Sequence, residues 1–176
     1  MLYVSKIIKR FGFATVFVFA LSACGGSSSS SSSGDGTTDS TPATNVALAS
    51  AGATVSSTFS GNETFVNDGD TGNTNFWEPG ADGDSITIEF DEVYDVEFLE
   101  ISSLSLNNPS EFAIAFSENG VTFTDIDLIF DCFSFSIGVS GYSCELVTPI
   151  EAGFIRLTIL MDSANIDIYE IEVFGT

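Results

Sequence analysis

The sequence contains no histidine, and only 4 of its 176 residues are lysine or arginine. Without histidine, Ser–His and Cys–His nucleophilic schemes are not available. Three of the four bases, Lys6, Lys9 and Arg10, lie within the first ten residues. Beyond them Arg156 stands alone against all 25 acidic residues, one base against 25 acids, for a formal charge of −24. Binding to nucleic acid needs clustered lysine and arginine, so that partner class is excluded. Direct attraction to an anionic membrane surface is excluded on the same ground. The acids are spread along the chain rather than blocked, as expected of a solvated surface whose self-repulsion a salty medium screens. A carboxylate pair for glycoside cleavage needs two particular acids, and here acids are everywhere with no pair singled out. The chain is therefore not read as an enzyme.

The bases of the first ten residues precede an apolar run, Phe11 to Leu21 (FGFATVFVFAL), too short to span a bilayer but of the length of a secretory signal core. The run ends in Leu21-Ser22-Ala23-Cys24, which resembles a bacterial lipobox. That resemblance implies a lipoprotein signal peptide over 1–23, acylation of Cys24 and contact with the membrane through the lipid anchor alone. An ordinary signal peptide with a chance cysteine is the alternative. Gly25, rather than aspartate, follows Cys24, and under the enterobacterial sorting habit this implies the outer membrane, with the domain in the periplasm or at the cell surface. Residues 24–44 (CGGSSSSSSSGDGTTDSTPAT) have almost no apolar side chain and are expected to be a flexible tether.

Three cysteines in an exported chain leave one odd thiol. With Cys24 assigned to lipid, Cys132 and Cys144 are spaced for a local disulfide in an oxidising compartment. A pair of buried free thiols is the alternative.

From Asn45 onward Val, Ile, Phe and Thr dominate, and no long segment shows a helical period. Ser85 to Phe90 (SITIEF) alternates, placing Ile86, Ile88 and Phe90 on one face. Further apolar runs follow at Phe98–Leu104, Phe112–Phe116, Val121–Thr124, Ile126–Phe130, Phe154–Leu160 and Ile166–Phe174, separated by turn signals such as Glu118-Asn119-Gly120. Many short strands at this spacing predict an antiparallel sandwich over 45–176. Seventeen phenylalanines predict an aromatic core.

One stretch carries specific chemistry: Asn67 to Trp77, NDGDTGNTNFW. Asp68, Asp70, Asn73 and Thr74 supply hard oxygen donors, and Gly69 and Gly72 supply the backbone freedom of a tight turn. Oxygen donors without nearby His or Cys suit calcium rather than a transition metal. A polar turn between strands is the plain alternative, and Asp82-Gly83-Asp84 is a second acidic turn that could compete for an ion.

The order of features from Asn45-Val46-Ala47-Leu48-Ala49, through the acidic loop ending in Trp77, SITIEF, Ala115–Thr124 (AFSENGVTFT) and Phe154-Ile155-Arg156-Leu157, to Ile168–Gly175 (IYEIEVFG), resembles the discoidin, or coagulation factor 5/8 type C, family. Its bacterial members include family 32 carbohydrate-binding modules. The resemblance implies an antiparallel jelly-roll β-sandwich of the galactose-binding-domain type with a structural calcium. It matches Glu170, with the Tyr169 carbonyl beside it, to the late half of the ion site, and makes Arg156 a structural residue paired with nearby acids. The loop from Asp68 to Trp77 is two residues longer than the commonest family spacing.

The resemblance further implies a non-catalytic module that binds glycan, such as a cell-surface polysaccharide, through loops at one end of the sandwich. Galactose-type sites in the family often use His and Arg beside an aromatic, and this chain has no His and no spare Arg. The remaining candidates are Phe76, Glu78, Asn107, Asn108, Phe133 and Tyr142, aromatic plates and polar groups of the kind a sugar face needs. A structural or adhesive surface protein is the second reading. In it, the segment Cys132–Cys144 (CFSFSIGVSGYSC) is the recognition loop for another protein, provided its aromatics point outward.

Overall fold

The computed structural model describes residues 43–72, 74–103, 111–126, 132–137, 139–160 and 166–176, with only the backbone of 135–137 and 139. All of them belong to one compact unit, Asp39–Thr176. The signal, lipobox and most of the tether expected from the sequence lie outside the described residues, as do Asn73, Asn107 and Asn108.

The architecture is antiparallel β throughout. Its strands are β1 (Thr44–Asn45), β2 (Thr54–Ser57), β3 (Ser85–Ser103), β4 (Phe112–Ser117), β5 (Thr124–Asp125), β6 (Cys132–Ile137), β7 (Val139–Ile159) and β8 (Ile168–Gly175), with short 3-10 turns at Ala49–Ala51 and Glu63–Asn67. The strand order is β1-β8-β3-β7-β4-β5, with β2 also on β3 and β6 also on β7.

Two strands, β3 and β7, run through both layers of the sandwich. The first half of β3, Ser85–Glu89, pairs with Phe154–Thr158 of β7 and with β2, while Phe98–Ser103 pairs with Ser140–Glu145 and with β8. Register shifts between Glu89 and Tyr94 and between Val96 and Phe98 mark where the ladder turns the corner. Irregularities of this kind bend a strand and sharpen its twist, which lets one strand serve two sheets. The runs at 85–90 and 98–103 that read as separate strands are therefore one continuous strand. Similarly, 154–159 is the last part of β7.

This bend gives the domain two distinct ends. At the corner end Glu89 faces Phe154, Tyr94 faces Ala152 and the hairpin turn after Ser117 packs close by. At the loop end Ser85 faces Thr158, and Ser103 faces both Ser140 and Ile168. Thr44 pairs with Gly175, which in turn pairs with Val96, so the chain enters the domain at the corner end.

The alternation of SITIEF is realised: Ile86 and Ile88 are fully buried and Phe90 nearly so. The aromatic core is realised in part: among the described residues Phe90, Phe112 and Phe116 are the buried phenylalanines, joined by Trp77, Tyr142 and Tyr169, and the isoleucines Ile86, Ile88, Ile101, Ile114, Ile155 and Ile159 fill much of the rest. The space between two sheets about 10 Å apart is filled by interdigitating β-branched side chains, and other rings are left at the periphery. Phe98 and Phe174, for example, pair at 5.5 Å, both only partly buried. Two further expectations change. Val121 and Thr122 lie in the hairpin turn, so β5 is only two residues long, and Ile126–Phe130 lies largely outside the described residues.

Candidate functional site

Trp77 closes the acidic loop and fixes it to the last strand. It is fully buried, exchanges two 2.9 Å backbone hydrogen bonds with Ile168, and its indole N–H donates to the Phe59 carbonyl at 3.1 Å. With one end pinned there, the loop is laid beside Tyr169 and Glu170. Its other end follows the turn Glu63–Asn67, where the Asn67 amide donates to the Ala47 carbonyl at 3.0 Å.

Between these anchors the loop is wound on its own carboxylates. Asp68 Oδ1 accepts the Asp70 N–H at 2.8 Å, and Asp70 Oδ1 accepts the Gly72 N–H at 2.9 Å. Gly69, at φ +86°, occupies the left-handed region where a side chain would be strained. This conformation aims its N–H at Glu170, whose two carboxylate oxygens accept it at 3.3 and 3.2 Å.

Glu170 is only 1% exposed. Burial pushes its carboxyl up to about 8, against the pull of the Gly69 N–H, and the charges of Asp68, Glu172 and Asp70 push in the same direction as burial. A buried acid among acids lacks a counter-charge, and burying an uncompensated charge is costly. The carboxylate oxygens of Asp68, Asp70 and Glu170 are donors of the hard type that suits a dication. They are not a ready-made side-chain cage: among the described residues no group of three or more His, Cys, Asp or Glu side chains converges as a metal cluster. Thr74 is exposed, and the Tyr169 ring is buried edge-on to Phe76, with centroids 6.1 Å apart.

Phe76 is thus held half-buried at the loop end, and Glu78 lies exposed two residues on. Beside them is Asp167, which the sequence reading did not single out. Its carboxyl is raised first by burial and then by the charge of Glu78, and Asp167 in turn raises Tyr169, whose main cause is burial. The only available signal was the alternation Ile166-Asp167-Ile168, which puts Asp167 opposite two buried isoleucines.

The other candidates separate. Phe133 is 59% exposed on β6, opposite Ser143. Tyr142 is 2% exposed and packs edge-on against Phe112 at 4.8 Å, so it is a core residue rather than a sugar plate. The two sit on opposite faces of the sheet: Tyr142 pairs with the buried Ile101, whereas Phe133 pairs with Ser143, the next residue along β7. The Tyr142 hydroxyl is buried and has no hydrogen-bond partner among the described residues. Cys132 and Cys144 are bonded directly across β6 and β7, with Cα atoms 4.0 Å apart, so the segment between them is a β-hairpin rather than a loop. The Arg156 guanidinium lies 3.9 Å over the Phe123 ring. The cross-strand neighbours of Arg156 are Thr87 and Ala115, neither of which is an acid.

No family model matches the sequence, and no curated protein matches it. Solved structures do resemble the chain. The module CpGH89CBM32-6 of Clostridium perfringens is 23% identical, with a TM-score of 0.60 over 76% of this chain and 100% of that one. The family 32 module of NanJ from C. perfringens, solved in complex with galactose, is 18% identical, with a TM-score of 0.54 over 76% of this chain and 99% of that one. The family 32 module of Streptococcus pneumoniae EndoD is 16% identical, with a TM-score of 0.54 over 76% of this chain and 100% of that one. These comparisons show that the domain has the discoidin-like, galactose-binding-type β-sandwich fold of family 32 carbohydrate-binding modules.

Proposed function

We propose that this domain is a non-catalytic carbohydrate-binding module, braced by a structural calcium and held at the outer membrane through acylated Cys24. The observation that carries the reading is the grouping at the loop end: Phe76 edge-on to Tyr169, with the carboxylates of Glu78 and Asp167 beside it. An aromatic surface gives a pyranose its apolar contact, and carboxylates accept hydrogen bonds from its hydroxyls. This end lies opposite the corner where the chain enters at Thr44, which suits a module that presents its loops away from a tether. The modules of the same fold solved with galactose and with GalNAc-β-1,3-galactose support the substrate class.

In this reading Asp68, Asp70 and Glu170 hold the ion, with Asn73, Thr74 and the Tyr169 carbonyl as further oxygen donors. Calcium, when bound, supplies the positive charge that the cluster lacks. The loop then braces Phe76 and Glu78 through Trp77 and is not itself the sugar site.

A second reading is favoured by Phe133, an exposed aromatic on a disulfide-clamped hairpin, which fits an anchor for a protein partner. A glycan array probed with the protein separates the two. Saccharide retention lost in Phe76→Ala and Asp167→Asn but kept in Phe133→Ala supports the module reading, and no retention on any glycan overturns it.

A further inference from the structure

At the corner end, away from Phe76 and Glu78, the two layers part along the flank bounded by β5. A groove of about 520 Å³ opens there between the β4–β5 hairpin and the β7 segment around Ile150. That volume lies within the range of small-molecule sites. Its floor is apolar: Phe116 from the inward face of β4, Ile126 just after β5, and Ile150 from β7. Its mouth carries three exposed carboxylates from three different elements, Glu118 on the hairpin turn, Asp125 on β5 and Glu151 on β7. No base lines it.

The two walls are held relative to one another. Ser117 Oγ accepts the N–H groups of Asn119 and Gly120, and Asn119 Oδ1 accepts those of Val121 and Thr122, so the hairpin tip is wound tightly. The Glu118 carbonyl packs so near Gly153 that a Cβ there would come within 3.0 Å of it. A preformed groove loses little entropy when it is filled.

We propose that this groove is a ligand site separate from the loop end and that it takes an aliphatic amine. The methylene stem lies on Phe116, Ile126 and Ile150, and the ammonium sits among Glu118, Asp125 and Glu151. An alcohol of the same length would satisfy the floor but leave the carboxylates unpaired. A bare metal ion would satisfy the carboxylates but leave the apolar floor empty. This inference does not depend on the glycan reading.

A chain this acidic attracts any cation diffusely, so the test must separate a site from a counterion cloud. Calorimetric titration of the full chain with cadaverine, at about 0.15 M salt to screen exposed charges, reads the binding. Saturable one-to-one binding is expected, about tenfold weaker or more in a Glu118→Gln, Asp125→Asn, Glu151→Gln variant. A charge-matched control, Glu89→Gln, Glu97→Gln, Glu145→Gln, should bind like the parent. Because all six positions are exposed, unchanged melting of both variants shows that neither loss is one of folding. Non-saturable binding, equal weakening in both variants, or n-pentanol binding as well as cadaverine would each overturn the proposal. A parallel titration with Nα-acetyl-lysine amide assigns the source: tighter binding than cadaverine points to a peptide lysine, weaker binding to a free polyamine.

Discussion

Gly69 and Glu170, 101 residues apart in sequence, are joined by a hydrogen bond from the glycine N–H to both carboxylate oxygens. It ties the early acidic loop to the last strand and sets a buried acid among other acids. If calcium completes this clasp, millimolar calcium raises the melting midpoint and a chelator lowers it. Saturation at a hundred times the dissociation constant corresponds to about 2.7 kcal/mol. Glu170→Gln should abolish that response while folding at least as well in chelator, because the buried charge is gone. Gly69→Ala, which forces a side chain to φ +86°, should cost about 1–2 kcal/mol whether or not calcium is present. An identical midpoint with and without chelator rules the clasp out.

A second acidic contact sets a pH dependence. Glu100 and Glu172 are directly paired on β3 and β8. Burial raises both carboxyls; the charge of Glu100 adds to the rise at Glu172, and the Asn45 amide partly opposes it. Acids with raised folded-state values bind more protons folded than unfolded across the interval between the two values. Stability in chelator should therefore fall as the pH rises from the ordinary glutamate value of 4.5 upward. Glu100→Gln should flatten this slope in chemical denaturation followed across that range. A slope of the opposite sign, or one that Glu100→Gln leaves unchanged, contradicts the pairing.

Tyr142 is the clearest case of a ring whose polar handle is wasted. Its buried hydroxyl has no partner among the described residues, so Tyr142→Phe should be neutral or stabilising, by up to about 1 kcal/mol, and should leave saccharide binding unchanged. Loss of glycan retention in this variant would return Tyr142 to the binding site.

The disulfide closes a short loop, with a sequence separation of 12. In the chain-entropy account it contributes about 3 kcal/mol, so Cys132→Ser with Cys144→Ser should lower stability by about that amount. The native, unreduced protein should titrate neither of these cysteines with a thiol reagent.

The parts of the fold legible in the sequence are those with local causes. SITIEF announced its inward face because a half-buried strand must alternate, and Cys132 and Cys144 were close enough in sequence to bond. Asp68, Asp70 and the glycines between and after them marked the loop because turn chemistry is short-range. Asp167 was not singled out, and Tyr142 was taken as a candidate plate, because burial depends on which face a strand presents. One residue of register reverses that face, and distant partners set it. The family resemblance implied acids as partners of Arg156, whereas the ladder gives it Thr87 and Ala115 as neighbours and Phe123 as a contact.

By itself the sequence determined the β class, the absence of histidine chemistry, the near-total lack of positive charge, and the oxygen-rich loop from Asn67 to Trp77. All of these follow from residue type and local pattern. Only the tertiary structure decided that β3 and β7 each cross both layers, that Glu170 is buried against Gly69, and that Phe133 faces out while Tyr142 faces in. Those outcomes depend on strand register and on bulges that turn the sheet, which are settled by packing between segments far apart in the chain.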